Sequence, residues 1–469
     1  MFESSYWLGC KRLFFYILNI RRYYILKIIK SILPSFIIEK IEGRDNLKNI
    51  LFNINWLTFE KMITMLLGLL VGAWVARYLG PEDYGKYNYA VSFVALFTFI
   101  STLGLEQIVV RNIVEYPEDK NKLLGTTFFL RLIGSILLNI IVLIIITIFN
   151  IKTEQIRIFI MIISIGYIFK SFDTIKYWFR SQIKSKYSVL ASTISLIMIS
   201  LLKIFFILNK ASVSIFVWLS TINILLIGTM LVIFYQLYSR NSILKWRLDF
   251  EWIVELLKDS WPLILSGAAV AVHMRIDQVM IGSMINDESL GIYSAAVKLK
   301  QWGFLAVIIT NSVFPTLVKT RKKNMKLYYN RLQKLFDIMI WLGLFISISV
   351  TVMSGYIINI LYGPSYSGAA LILSIHSWIA NFNYFGIITS KYLIAENLTK
   401  ISFYRTFLGA ITNIILNFLL IPYYGIVGAS IATLISVFVQ DWMSNLFFRK
   451  TRKLNFMYFK SFNFLRLIK

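Results

Sequence analysis

A chain of 469 residues that is 58% hydrophobic and 15% charged, with a mean hydropathy of +0.68, lacks the roughly 25% of charged residues that a soluble domain carries. Its apolar runs recur along the whole length, cross about 30 Å of hydrocarbon and are too long for barrel strands, so the class is all-α and polytopic in a membrane. Net charge is +26, but the basic residues gather between apolar runs and so mark topology rather than nucleic acid, while Cys10 as sole cysteine excludes an intramolecular disulfide or thiolate cluster and His273 and His376 as sole histidines disfavour a multi-histidine metal site.

Residues 1–48 interleave aromatic and aliphatic residues with Lys11, Arg12, Arg21, Arg22, Lys27 and Lys30. No cleavable signal peptide is evident. The pattern predicts an amphipathic extension lying on the cytoplasmic surface and broken at Pro34.

Twelve spans follow in two sets of six. The first set, within residues 49–238, runs near 53–79, 83–109, 121–149, 155–180, 186–208 and 212–238. A polar connector over 239–258 separates it from the second, within 259–450. Those spans run near 257–284, 288–317, 327–361, 365–395, 398–421 and 425–448, before a basic tail over 451–469.

Alternate connections are basic. Arg111, Lys120 and Lys122 lie in one, Lys184 and Lys186 in the next, then Arg240 and Lys245, then Lys319 to Lys326, then Arg449 to Lys453. The connections between them are nearly free of Lys and Arg. This alternation predicts both termini in the cytoplasm. Two six-helix halves then share one orientation, as parallel repeats about an axis along the membrane normal.

A repeated hairpin supports the two halves. Gly80-Pro81-Glu82-Asp83-Tyr84-Gly85-Lys86-Tyr87 returns in weaker form around Asp287-Glu288-Ser289-Leu290-Gly291-Ile292-Tyr293. Gly85 and Tyr87 fall on Gly291 and Tyr293, 206 residues later. Arg77, Asp83 and Lys86 at this turn are adequately explained by capping.

An ionisable group at the centre of a span costs at least about 2.5–3.5 kcal/mol and needs a reason. Span seven carries His273, Arg275 and Asp277, with His273 and Asp277 on one helical face. The hairpin at Asn286 brings Lys298 of span eight to the same depth. Arg275, Asp277 and Lys298 are therefore expected to meet, either as a cationic patch for a phosphate or as a structural ion pair. Span four carries Lys170, Asp173, Lys176 and Arg180 within one 120° stripe, suited to an anionic headgroup or simply to fixing orientation. Arg131 of span three is a candidate for the lumen. Glu60 and Asp441 are candidate carboxylates for coupling to H+ or Na+. His376 is expected to make a helix–helix hydrogen bond, with a proton relay as the alternative. No nucleotide loop, nucleophile elbow or metal signature occurs, so neither enzymatic chemistry nor a cofactor is expected.

The stretch Leu66 to Gly85, ending Val75-Ala76-Arg77-Tyr78-Leu79-Gly80-Pro81-Glu82-Asp83-Tyr84-Gly85, resembles the start of bacterial O-antigen and capsular repeat-unit flippases. These are polysaccharide-biosynthesis proteins of the multidrug/oligosaccharidyl-lipid/polysaccharide exporter superfamily. Pro422-Tyr423-Tyr424-Gly425-Ile426-Val427-Gly428-Ala429 is similar to that family's entry to its last span. The resemblance covers about residues 49–450. It implies two pseudo-symmetric six-helix lobes around a central cavity, working by alternating access in the bacterial cytoplasmic (inner) membrane. It implies as cargo an undecaprenyl-diphosphate-linked oligosaccharide. The implied partners are anionic phospholipids and a polymerase and chain-length regulator of the same pathway. Two alternatives stay open: a cation-coupled multidrug exporter, which favours carboxylates in its cavity, and a membrane glycosyltransferase or polymerase, which needs a large outer loop.

Overall fold

The computed structural model describes residues 45–149, 151–239, 242–300, 303–396 and 398–463. The amphipathic extension expected over 1–48 therefore lies almost wholly outside the described residues. The helices of the first half, in chain order, are α1 (Asp45–Leu96), α2 (Thr98–Thr102), α3 (Glu106–Glu115), α4 (Lys120–Ile148), α5 (Glu154–Phe169), α6 (Thr174–Ser181), α7 (Lys186–Leu208) and α8 (Val213–Ser239). A 3-10 turn, Lys170–Asp173, joins α5 to α6. The second half holds α9 (Phe250–Met284), α10 (Asp287–Lys298), α11 (Gly303–Lys323), α12 (Met325–Tyr362), α13 (Ala369–Ala395) and α14 (Thr399–Phe438). A π-helical turn, Val439–Met443, then leads to the short α15 (Ser444–Phe447) and to α16 (Arg452–Lys460).

Ten helical stretches among the described residues are long and apolar enough to cross a membrane. Two of these are folded on themselves. The stretch Lys400–Phe447 has 48 residues, about 72 Å at 1.5 Å per residue, against a hydrocarbon core of about 30 Å. Gly425, at φ 55° and ψ −136°, breaks it. Asn413 then donates to the Ser436 hydroxyl at 3.2 Å and Arg405 reaches Asp441, so the two limbs run back along each other. In α1 the break is Gly80, at φ 73° and ψ 170°, followed by Pro81. A left-handed φ of this kind costs glycine nothing, and Pro81 is preset for the first turn of the next limb. Lys298 approaches both Gly72 and the ring of Tyr84, one on each limb, which is possible only if the chain reverses at Gly80. Counting the two folds gives twelve crossings, as expected from the apolar runs.

The halves join at the end that carries Gly80, Asn286, Gly363 and Gly425, called here the glycine-turn end. A Cβ on Gly85 would overlap the carbonyl oxygen of Asp287, and one on Gly291 would overlap that of Pro81. The two contacts exchange under the 206-residue offset of the repeat. Deeper, the Ser92 hydroxyl donates to Gln278 at 2.6 Å, and its counterpart under the same offset is the approach of Lys298 to Gly72. This is the pairing logic of a two-fold interface: residue i meets j, and the copy of i meets the copy of j. Small residues let backbones approach this closely in lipid, where burial alone drives no association. Tyr366 adds a bond from its hydroxyl to the Ala76 carbonyl at 2.7 Å, and Lys152 pairs with Asp287 at 2.8 Å.

The packing differs at the opposite end, where the basic connections lie. The core at the glycine-turn end mixes the halves, with Tyr84, Tyr89, Tyr293 and Tyr366 in one cluster. At the basic-connection end each half has a core of its own. The exception is α9, whose Trp252 and Leu256 pack into the first half. Asp249 caps α9 by accepting from the backbone N–H of Glu251 and Trp252, and it pairs with Lys122 at 3.1 Å. The hydrogen bond from Lys122 holds the Asp249 carboxyl below its ordinary value. The helix thus begins at Phe250, inside the stretch expected as a connector over 239–258. The terminal segment expected as a basic tail is likewise docked over its described part. Gln333 donates to the Ser461 hydroxyl at 2.8 Å and Trp341 to the Ser461 carbonyl at 3.0 Å, while Leu454 and Tyr458 of α16 enter the second core.

Candidate functional site

The first half holds a buried charge group built on α4 and the turn between α5 and α6. Arg131 is 1% exposed and donates to the Tyr177 hydroxyl. Its guanidinium lies 3.9 Å from Asp173, which takes a closer bond from Lys176 at 2.7 Å. Lys170 stands 4.8 Å over the ring of Tyr167 and within electrostatic reach of Asp173. Three cations thus surround one carboxylate. The 3-10 turn Lys170–Asp173 tightens the backbone so that Lys170, Asp173 and Lys176 gather inward. From the other half, Arg275 of α9 acts electrostatically on Tyr167.

Beside this group a cavity of about 360 Å³ lies between the halves, lined by Gly104, Leu105, Glu106, Gln107, Tyr177 and Leu263. Tyr177 is shared: it bonds Arg131 on one side and faces the cavity on the other. Glu106 at the rim pairs with Arg180.

Arg131, expected in the lumen, and Lys170 and Lys176 of the span-four stripe come together around Asp173. Arg180 does not join them. It is exposed and pairs with Glu106, one helical turn beyond Lys176 on the same face of α6.

The expected meeting of Arg275, Asp277 and Lys298 is formed only in part: Arg275 acts electrostatically on Asp277, but Lys298 does not join them. Asp277 accepts from the Tyr293 hydroxyl at 2.5 Å, inside the second half. Tyr293 and Lys298 are five residues apart on α10, about 140° around the helix, so Lys298 faces the other way. It stands over the ring of Tyr84 at 5.9 Å, in the first half. The cation nearest in effect to Asp277 is instead Lys300, which also acts on His273 and His376. It lies just past the end of α10, where no helical wheel predicts its direction.

His376 does not make the helix–helix hydrogen bond expected of it. Its ring is fully buried and packs edge-on to Tyr293 at 5.5 Å, with both nitrogens unpartnered among the described residues. Asp441 is not an isolated carboxylate: Arg405 donates to it at 3.0 Å and also to the Gln440 carbonyl at 3.1 Å. Arg405 went unweighed in the sequence because it lies on the other limb of α14. Glu60 lies in α1, and its side chain falls outside the described residues.

Residues 50–321, more than half of the chain, match the family described as Polysaccharide biosynthesis protein. The chain belongs to that family. Among its relatives is the capsular polysaccharide biosynthesis protein CapF of Staphylococcus aureus, 26% identical over 404 residues, covering 82% of this chain and 96% of that one. The putative O-antigen transporter of Escherichia coli strain K12 is 22% identical over 416 residues, covering 86% and 97%. In fold, the chain resembles the lipid II flippase MurJ in an inward closed conformation, with a TM-score of 0.68 at 17% identity over 89% of this chain and 92% of that one. At 17% identity this likeness is one of fold. Within it, the cationic group on α4–α6 lies on the first half and Arg275 faces it from the second.

Proposed function

We propose that this protein is a flippase for a diphosphate-linked lipid oligosaccharide, working by alternating access, with the basic connections and both termini on the cytoplasmic side of a bacterial inner membrane. The observation that carries the reading is the surplus of positive charge at Arg131, Lys170 and Lys176 around Asp173, with Arg275 opposite. Burying three cations with one carboxylate is expensive in lipid, and a diphosphate offsets that cost through charge-assisted bonds of about 1.5–3 kcal/mol each. A cationic drug would find the opposite field. The mid-span carboxylates are already engaged, Asp277 by Tyr293 and Asp441 by Arg405. The names of the relatives, a capsular polysaccharide biosynthesis protein and an O-antigen transporter, support a cargo of the same class here.

In this reading the structure is the state closed toward the outside, held by the glycine contacts. The headgroup enters from the cytoplasmic side beside Tyr177, and the diphosphate takes over Lys176 and Arg131 from Asp173. The halves then part at the glycine-turn end. No nucleotide site is needed, and coupling to H+ or Na+ is the proposed drive.

The deciding experiment follows lipid-linked repeat units in a strain deleted for this protein. They should build up in the inner leaflet, and the wild-type chain should clear them. If they reach the outer leaflet at the normal rate without it, and no other flippase supplies the activity, the proposal fails.

A further inference from the structure

A second cavity of about 200 Å³ lies away from the group on α4–α6 and shares no lining residue with it. Its apolar wall comes from Leu67 and Val71 of α1 with Leu196 and Ile199 of α7. Its polar wall is Lys203, Tyr87, Ser220, Asn223 and Lys298. Lys298 is the lysine that turned away from Asp277, and it enters from the second half. Gly72 makes the entry possible: a Cβ there would overlap the Lys298 ammonium. Tyr87 bonds Ser220 at 2.8 Å, and Lys203 acts electrostatically on both Tyr87 and Lys298. The side-chain oxygen of Asn223 is buried without a partner among the described residues.

Two lysines from opposite halves therefore face one chamber whose lining, among the described residues, contains no Asp or Glu. Like charges brought together in low dielectric repel strongly, and a bound anion relieves that repulsion. The volume is below the roughly 300–1,000 Å³ of sites for drug-sized ligands, so the ligand is small. The amide nitrogen of Asn223 beside the lysines is a neutral donor that a tetrahedral oxyanion can use.

We propose that this chamber binds a phosphate-sized oxyanion between Lys203 and Lys298, and that the bound anion ties the two halves together in the closed state. The chemistry fits either free inorganic phosphate or the phosphate of a lipid headgroup. The inference does not depend on the identity of the cargo.

The test uses the full-length protein in nanodiscs of zwitterionic lipid. Thermal unfolding is followed while inorganic phosphate is titrated, and separately in nanodiscs containing phosphatidic acid. Saturable stabilisation by phosphate identifies a free anion, and stabilisation by phosphatidic acid alone identifies a headgroup. Lys203→Gln and Lys298→Gln should weaken the response by about tenfold or more. Lys203→Arg and Lys298→Arg should retain it, which separates lost binding from lost folding. Arg131→Gln should also retain it, which separates this chamber from the group on α4–α6. The proposal is overturned if the wild type responds in neither arm, if both glutamine variants respond as the wild type does, or if Arg131→Gln alone abolishes the response.

Discussion

Gly85 and Gly291 face each other across the join between the halves, each pressed onto the backbone carbonyl of the residue four positions before the other. A methyl group at either position must push two backbones apart. Overpacking of this kind costs about 1–3 kcal/mol, and here the cost falls on the closed state alone. Gly85→Ala and Gly291→Ala should each shift the protein toward the state open at the glycine-turn end. Ala76, fully buried beside this contact, is the reporter. In an Ala76→Cys background, either glycine variant should raise labelling by a membrane-impermeant maleimide about tenfold, as 1.4 kcal/mol requires. Unchanged labelling would show that the glycines do not hold the closed state.

The cationic group makes a graded prediction. Arg131→Gln, Lys170→Gln and Lys176→Gln each remove a charge from around Asp173, and each should cut surface glycan by about 10-fold or more at unchanged membrane abundance, the scale of one charge-assisted bond. Arg180→Ala removes only a partner of Glu106 at the rim, so glycan should stay near wild type. Quantitative glycan blots beside immunoblots of the membrane fraction make the comparison. Equal effects of all four substitutions would argue against this assignment.

Asp441 separates coupling from structure. Arg405 and Asp441 are a buried pair, and removing one partner of such a pair costs about 3–5 kcal/mol, whereas replacing both by apolar residues is often neutral. Asp441→Asn and Arg405→Met should each lower the melting temperature, and Arg405→Met with Asp441→Leu should recover it. If the double variant is stable yet transport-dead, Asp441 has a role beyond pairing, and ion dependence of transport becomes the measurement to make on it.

The connector carries a pH dependence with a definite sign. Lys122 lowers the folded-state value of Asp249, so the contribution of Asp249 is present above the carboxyl's ordinary value near 4 and is lost as pH falls below it. Cleavage in the segment between α8 and α9 should rise as the medium is acidified through that range. Asp249→Asn should show the raised cleavage already at neutral pH. Identical cleavage of variant and wild type at neutral pH would mean that Asp249 does not hold the connector.

The sequence made the crossings legible because span length and loop charge are properties of whole segments, read without knowing how any helix is rotated. The 206-residue echo of Gly85 in Gly291 survived for a related reason: both glycines are needed at one contact. Rotation was harder to read. A helix apolar on all sides offers no polar stripe from which to tell its facing, so Lys298 was sent toward Asp277 when Tyr293 holds that place. Lys170, Asp173 and Lys176 share one stripe in the sequence, but their meeting with Arg131 is tertiary, since it comes from another helix. Arg405 and Asp441 were not connected, since only the fold at Gly425 makes them neighbours. The end of α10 that releases Lys300 is a local departure from helical phase that periodicity does not register.

Lys298 also ties the proposed motion to one side chain. Its stem crosses Gly72 to reach a seat in the opposite half, so if the halves part as proposed it must leave that seat and return to it in every cycle. The seat is a latch. A bulky residue at position 72 would disfavour the latched state and leave the halves ajar.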